Sequence, residues 1–571
     1  MTILNMVGGG SSSKYYIQVH LSTVYSGLTI TATPTSGSSV SATTDASGMA
    51  TLEVKKDTTY TVTGSTSGYY FSSSSVTTSS TVTDITLTCY KYPVVTVTVT
   101  DSSSSGYQSG RVITATNGST TYSGTTNSSG VATITIQANS GTWTLNCTNL
   151  PTGGSASWSS STVSVSAGGT YSRTMTISFG ITFSMTFNAT TFQTDPTGCL
   201  TYADDCAGFT PVSSPPSSLG KCGTIGSWVM NADGTSTNKL LNDCFYATFT
   251  SAGVLHEKLN PQDLTKKIAT WNGSSWTSAS GSSSITTEDT MFCIPTLYLS
   301  STSSKISIST KSSSGTAYAH TIGGHTYKYL AIGVYPTNVT SNVAYSKSGA
   351  SSTVSTTRPN FRTYSTGKTV KNGKAMVWNF HQWQLLRIMT IFAMKSFNGQ
   401  SRIGQGGYTY GAQTSGHTNT YGPFAGSTSA SASTSNGMKA FVEDWWGHNY
   451  EFIDDFVNLS KVVYVGQNAV PDDTSSNKTN IGSFATTGNA PNVISTTAIS
   501  WGMGTAMGGS ATTGLCDGQW VNYSGSYLGS VGGYSDGVSS GNAGPSYLSA
   551  LIALSYSFGS YGARLAFVFD T

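Results

Sequence analysis

The chain has 571 residues, of which 9% are charged, and its formal net charge is +3. An average soluble protein is about 25% charged, so this one has no basic field with which to track nucleic acid, and its solubility has to come from hydroxyls and amides. Aromatic residues make up 11% and Gly contributes 63 residues, which argues against disorder and for half-buried strands joined by tight turns.

The opening "MTILNMVGGGSSSKYY" lacks a cationic start followed by a long apolar run, so no secretory signal is expected. Its Gly/Ser tract reads as a flexible arm over 1–14, suited to attachment to other proteins. No stretch of about 18 apolar residues follows, so no membrane insertion is expected.

Two stretches then repeat. "GLTITATPTSGSSVSATTDASGMATLEV" (27–54) is similar to "GRVITATNGSTTYSGTTNSSGVATITI" (110–136), with Gly48 and Gly130 in matching turns. Alternating Thr, Val and Ile give a period of two, and Gly, Ser and Asn fill the turns. The repeat predicts two β-sandwiches, over 15–92 and 93–178, each about the size of a small sandwich domain. On the "D/N-x-S-G-x-A-T" turn they resemble carboxypeptidase-regulatory or bacterial Ig-like units. That resemblance implies a spacer, with weak sugar binding as the alternative.

Residues 179–284 are richer in turn signals and charge, as in "TDPTGCLTYADDCAGFTP" and "EKLNPQDLTKKIATWNG", and predict an irregular β-rich connector. Cys199, Cys206, Cys222 and Cys244 fall here without CxxC spacing, which makes them a weak metal-site signal and more simply reduced thiols. Residues 285–571 then read as one domain. "DTMFCIPTLYLSS" and "HTYKYLAIGVYP" are strand-like. "AMVWNFHQWQLLRIMTIFAMKSFN" (375–398) is the best helix, with Trp383, Leu386, Met389, Ile391, Phe392 and Met394 on one broad face.

"EDWWGHNYEFIDDF" (443–456) stands out against its Ser/Thr/Gly surroundings. It resembles the "N-x-W-G-N-V-W-E-W" strand of C-type-lectin-like domains of the formylglycine-generating-enzyme type. Trp446 and Gly447 match the "WG", and Tyr450, Glu451 and Phe452 match the "W-E-W". "SYSFGSYGARLAFVFD" (555–570) resembles that fold's closing strand, through Gly562, Arg564, Leu565 and Ala566. In order, "DPTGCLTYADD", "CIPTLYL", "IGVYP", "FNGQSRIGQGG", "DWWGHNYEF" and "GARLAF" also resemble a phage tail-fibre or receptor-binding protein. Some proteins of that pattern are the variable proteins of diversity-generating retroelements. The fold class this implies is mainly β and multidomain: tandem Ig-like β-sandwiches, a β-rich connector, and an α+β C-type-lectin-like domain.

Under that resemblance Trp383, Trp446, Gly447, Tyr450, Glu451 and Arg564 are structural core. The oxidase it includes uses a late cysteine pair to bind copper, and Cys516 stands alone. His381, His417 and His448 have no sequence partner that completes a triad or a metal motif. The carboxylates Glu443, Asp444, Glu451, Asp454 and Asp455 are of the type used by glycosidases and of the type that hold Ca²⁺, but no spacing specifies either. No cofactor and no catalytic residue is therefore expected.

Recognition is expected instead from "DGQWVNYSGSYLGSVGGYSDG" (517–537). Tyr and Trp supply contact area with few rotors to freeze, and Ser, Gly and Asn supply adaptable hydrogen bonds. The candidate receptor-binding residues are Trp520, Asn522, Tyr523, Tyr527, Tyr534 and Asp536. The reading is a bacteriophage virion fibre that binds a host cell-surface glycan or protein. It would contact other virion proteins through its N-terminal region and self-associate as a homotrimer. A bacterial surface adhesin, a capsid-decorating fibre with glycan-binding Ig-like domains, and a glycan-modifying enzyme are the alternatives.

Overall fold

Alternation along 15–178 becomes strands with apolar side chains on one face. The strand Tyr15–Leu21 buries Ile17, Val19 and Leu21, and the strand Val94–Asp101 buries Val95, Val97 and Val99. This computed structural model describes residues 13–101, 108–150, 154–179, 181–203, 206, 208–286, 288–407, 411–428, 437–484, 487–488, 490–533, 543–553 and 555–571. It is mainly β, with 46% strand against 9% helix, and separates into Met1–Gly180 and Ile181–Thr571.

In the first unit the repeat is structural as well as textual. One sandwich stacks the sheet Met49–Val54, Tyr15–Leu21, Val82–Leu87 on the sheet Val40–Thr43, Thr29–Pro34, Thr59–Gly64, Ser74–Thr77. The next stacks Val131–Thr135, Val94–Asp101, Thr170–Phe179, Gly154–Trp158 on Thr120–Thr125, Val112–Asn117, Ser140–Cys147, Thr162–Ser166. The two strand orders correspond, and the edge strand Gly154–Trp158 has its counterpart in Tyr69–Phe71, which pairs with Cys89–Lys91 just beyond Val82–Leu87. The shared turn explains the shared motif. Asp45 Oδ1 accepts from the amides of Ser47 and Met49 at 2.9 and 3.0 Å. Asn127 Oδ1 accepts from Ser129 and Val131 at the same distances. Gly48 and Gly130 follow at φ +77 and +78, where a side chain is strained. Thr44 and Thr126, both buried, each take a backbone amide and give their hydroxyl to a backbone carbonyl at 2.6 Å. Residues 1–12 of the expected arm lie outside the described residues.

The second unit corrects the expected division at 284/285. One sheet of eight strands runs Trp276–Ser284, Asp263–Trp271, Leu255–Asn260, Phe245–Phe249, Asp289–Pro295, Tyr329–Gly333, Leu565–Phe569, Gly373–Val377. Phe245–Phe249 is hydrogen-bonded on one side to Leu255–Asn260 and on the other to Asp289–Pro295. The span 179–284 is therefore not a connector: its strands supply half of this sheet, and Thr182–Phe187 pairs with Lys305–Ser309 in another. The physical reason is edge satisfaction, because Asp289–Pro295 without Phe245–Phe249 would present an unpaired row of amides and carbonyls. A second eight-stranded sheet holds Tyr450–Leu459 between Val462–Val465 and Ser526–Val531, followed by Leu548–Ile552, with Tyr561–Ala563 added along Tyr450–Phe452.

The helical reading of 375–398 divides. Gly373–Val377 is a strand beside Leu565–Phe569, and the helix is Phe380–Met394. Asn379 starts it with a capping box: Asn379 Oδ1 accepts from the Gln382 amide and Gln382 Oε1 from the Asn379 amide, both at 3.0 Å. Lys395, left-handed at φ +48, ends it. Every residue of this helix is buried, so it has no single core face but lies within the core. Two of its polar side chains, Gln384 and Arg387, find partners inside. Arg387 donates to the Gln384 side chain and the Trp501 carbonyl at 3.0 Å each, and to Ser546 Oγ at 2.8 Å.

Candidate recognition site

The stretch 443–456 is a set of internal anchors. Glu443 accepts from the amides of Gly416 and Thr418 at 2.6 and 2.8 Å and from the Thr418 hydroxyl at 2.5 Å. Asp444, left-handed at φ +54, accepts from the Met438 amide at 2.9 Å and lies 3.5 Å from His448 Nε2. Burial pushes its carboxyl up to about 6, with His448 opposing and Glu443 adding to the shift. Glu451 takes two hydrogen bonds from Arg564, at 2.9 and 2.5 Å.

Asp454 and Asp455 sit where the strand bulges. Register shifts between Ile453 and Val457, and Asp455 is left-handed at φ +53. The bulge frees the carbonyls of Ile453 and Phe456, and buried Arg358 donates to both, at 2.9 and 2.8 Å. Arg362 holds Asp454 at 2.8 and 2.6 Å. Asp455 is held by Lys478 at 2.8 Å and by the Asn468 amide at 2.7 Å. All five carboxylates thus have partners within the fold. Arg358, Arg362 and Lys478 escaped the sequence reading because their partners lie tens of residues away. The usable signal was scarcity, since a chain with 9% charge places few ions without a partner.

The residues expected in the core divide by burial. Trp383, Trp446, Gly447, Glu451 and Arg564 are buried, and Tyr450 is half-buried, stacked on Tyr561 with ring centroids 4.8 Å apart. Trp446 donates through Nε1 to the Gly404 carbonyl at 3.0 Å. Gly447 is at φ +90, and a Cβ there would lie 2.1 Å from the Gln405 carbonyl oxygen, so the chain passes only as glycine.

Of the expected receptor-binding residues, Trp520, Asn522, Tyr523 and Tyr527 are half-buried on or beside the strands Gln519–Trp520 and Ser526–Val531. Tyr534 and Asp536 lie outside the described residues. Tyr523 and Tyr527 meet edge-to-face at 6.4 Å, and Tyr527 donates its hydroxyl to the Ser524 carbonyl at 3.3 Å. Trp520 packs its ring over Gly488, where a Cβ would sit 3.2 Å from it. These aromatics are therefore less open than a wholly exposed loop would make them. Tyr556 and Phe558, which the sequence reading used only to mark the closing strand, are more open, at 39% and 53% exposure. They continue through Tyr561 to Tyr450, with Tyr556 and Tyr561 5.2 Å apart. The signal for them was the aromatic–serine alternation of "SYSFGSYG".

All eight cysteines are buried and unbridged. Burial pushes the thiols of Cys199 and Cys222 up to about 12. Among the described residues no three His, Cys, Asp or Glu side chains are grouped as a metal would need, so Cys199, Cys206, Cys222 and Cys244 form no such site. No helix among those residues is long and apolar enough to cross a membrane.

No family model matches the chain, and no curated protein does. Among solved structures it is similar to the TIE protein of Bacillus anthracis, at 14% identity and a TM-score of 0.16, over 31% of this chain and 40% of that one. The chain thus spans less than half the length of that protein. It is also similar to GBS52, the minor pilin of Streptococcus agalactiae, at 13% identity and a TM-score of 0.18, over 29% of this chain and 96% of that one. The shaft pilin SpaA of Lactobacillus rhamnosus GG aligns at 12% identity and a TM-score of 0.18, over 29% of this chain and 97% of that one. Alignments with scores this low carry no argument about function.

Proposed function

We propose that this chain is a non-catalytic fibre of a bacteriophage virion whose C-terminal, lectin-like part binds a glycan or protein on the host cell surface. The observation that carries the reading is a contrast between paired strands. The carboxylates of Tyr450–Leu459 and of the segment before it are all taken up by partners within the fold. Strand Ser526–Val531, hydrogen-bonded to Tyr450–Leu459, carries Tyr527 and follows Trp520, Asn522 and Tyr523, which keep part of their surface open. Ring faces and amides of this kind suit contact rather than turnover. In this reading the N-terminal residues attach to other virion proteins and the two sandwiches act as a spacer. Copies associate as a homotrimer, which gives weak single contacts avidity.

The test is adsorption of phage carrying Trp520→Ala with Tyr523→Ala. Loss of adsorption with normal virion incorporation supports the reading, and unchanged adsorption overturns the assignment of this face. Immunogold labelling of virions distinguishes a fibre from a bacterial surface adhesin, which would label the cell envelope instead. Release of sugar from host envelope glycans by the purified chain would overturn the non-catalytic reading, and a monomer by light scattering would overturn the trimer.

A further inference from the structure

At the outer end of the first eight-stranded sheet, a groove of about 560 Å³ opens over the strands Leu255–Asn260, Asp263–Trp271 and Trp276–Ser284. Its volume falls in the range of small-ligand sites, about 300–1,000 Å³. It lies in the segment that the sequence reads as a mere connector, and it is built from residues other than those of the proposed receptor face.

One wall is an indole on a rigid mount. Trp276 is braced edge-to-face by Phe245 at 5.8 Å and by its cross-strand partner Trp271 at 5.1 Å. Ile268 continues this apolar wall. The rim is polar and mixed in kind, with Lys258, Asn260 and Asp233. Lys258 forms no ion pair among the described residues, although Asp233 and Asp243 both act on its charge. Asp233 uses Oδ1 to accept from Thr235, at 2.9 Å from the amide and 2.7 Å from the hydroxyl. Asn260 uses its Oδ1 for the Gln262 amide at 2.8 Å. What remains at the rim is an ammonium that only donates, a carboxylate oxygen that only accepts, and an amide nitrogen. Gly234 keeps the rim open: at φ +81, a Cβ there would press within 3.0 Å of Ile268 and 3.2 Å of Lys258.

We propose that this groove is a second binding site, for a short neutral oligosaccharide. A pyranose ring presents an apolar C–H face to an indole and a girdle of hydroxyls, each able to donate and accept, to a rim that offers both. Charge complementarity sets the neutrality. The groove is lined by one ammonium, on Lys258, and one carboxylate, on Asp233, so it has no surplus positive charge for an acidic sugar.

The experiment is isothermal titration of the full chain with maltotriose, cellotriose, chitotriose and sialyllactose. Binding of at least one neutral trisaccharide is expected. Trp276→Ala weakens it about tenfold or more, and Trp520→Ala leaves it unchanged. Because Trp276 also packs on Phe245, Ser278→Trp is the companion variant. It fills the groove from an exposed position without removing internal packing, and it should abolish binding while the circular dichroism spectrum stays native. The proposal is overturned if no neutral trisaccharide binds, if only sialyllactose binds, or if binding survives Ser278→Trp. Loss with Trp520→Ala would also overturn it, by placing the sugar on the other face. Because the readout is sugar binding and not adsorption, failure of the receptor reading leaves this result intact.

Discussion

Arg564 and Glu451 meet through two hydrogen bonds, at 2.5 and 2.9 Å, where the chain passes from one eight-stranded sheet to the other. Tyr561–Ala563 belongs to the sheet of Glu451, and Leu565–Phe569 belongs to the other. The same guanidinium donates to the carbonyls of Gly333 at 2.8 Å and Glu443 at 2.7 Å. One side chain thus fastens both sheets and the start of the "WG" segment. Arg564→Ala leaves Glu451 buried without its counter-ion, a change that costs about 3–5 kcal/mol in comparable settings. Urea unfolding followed by tryptophan fluorescence should show that loss, and a shift below about 1 kcal/mol would mean that the sheets are held together without it.

The Asp444 carboxyl gives a pH dependence of definite sign. Its value of about 6 in the fold lies above the 3.8 of an ordinary aspartate. As pH rises, the unfolded chain gives up this proton first, so stability falls between those two values and then levels. Asp444→Asn should remove that slope, about 3 kcal/mol in all, and His448, Glu443 and His417 are the charged neighbours that modulate it. Wild type and variant are compared by urea midpoints from pH 4 to pH 7; parallel curves would contradict the assignment.

The two repeat glycines should respond unequally. Both pay about 1–2 kcal/mol for a side chain in left-handed backbone. At Gly48 the added Cβ meets Val24 at 3.1 Å, whereas at Gly130 it lies 2.4 Å from the Val99 carbonyl. Gly130→Ala should therefore loosen its sandwich more than Gly48→Ala loosens the other. Amide hydrogen exchange in the full chain reads each sandwich separately, and equal effects would show that the Val99 strand yields freely.

Burial separates two aromatic variants. Trp446→Ala empties a fully enclosed site and should cost about 3–5 kcal/mol. Phe558→Ser, at a residue 53% exposed, should cost less than about 1 kcal/mol. Thermal unfolding of the full chain measures both, and a Phe558 variant as unstable as the Trp446 variant would mean that the aromatic edge is part of the core.

The sequence made legible what is local. The sandwiches were visible because the Asp45 and Asn127 turns and the strand alternation are complete within about 30 residues. Trp446 and Gly447 were legible through a motif. The partnership of Phe245–Phe249 with Asp289–Pro295 was not, because strand pairing across such an interval leaves no periodic trace, and so the boundary at 284/285 was misplaced. The wholly buried helix escaped for a related reason. Gln384 and Arg387 look like a polar face until Trp501 and Ser546 arrive from more than a hundred residues later. The open aromatics were misjudged in degree, since Gly/Ser/Tyr composition does not distinguish a ring packed on Gly488, as Trp520 is, from one left open like Phe558.

In each sandwich the first strand runs parallel to the last: Tyr15–Leu21 beside Val82–Leu87, and Val94–Asp101 beside Thr170–Phe179. Tension applied at the two ends of such a module pulls these neighbours past one another along their length. The inter-strand hydrogen bonds are then loaded together in shear instead of being opened one after another like a zip. Forced extension of a module wired this way is governed by its unfolding rate and not by its equilibrium stability alone.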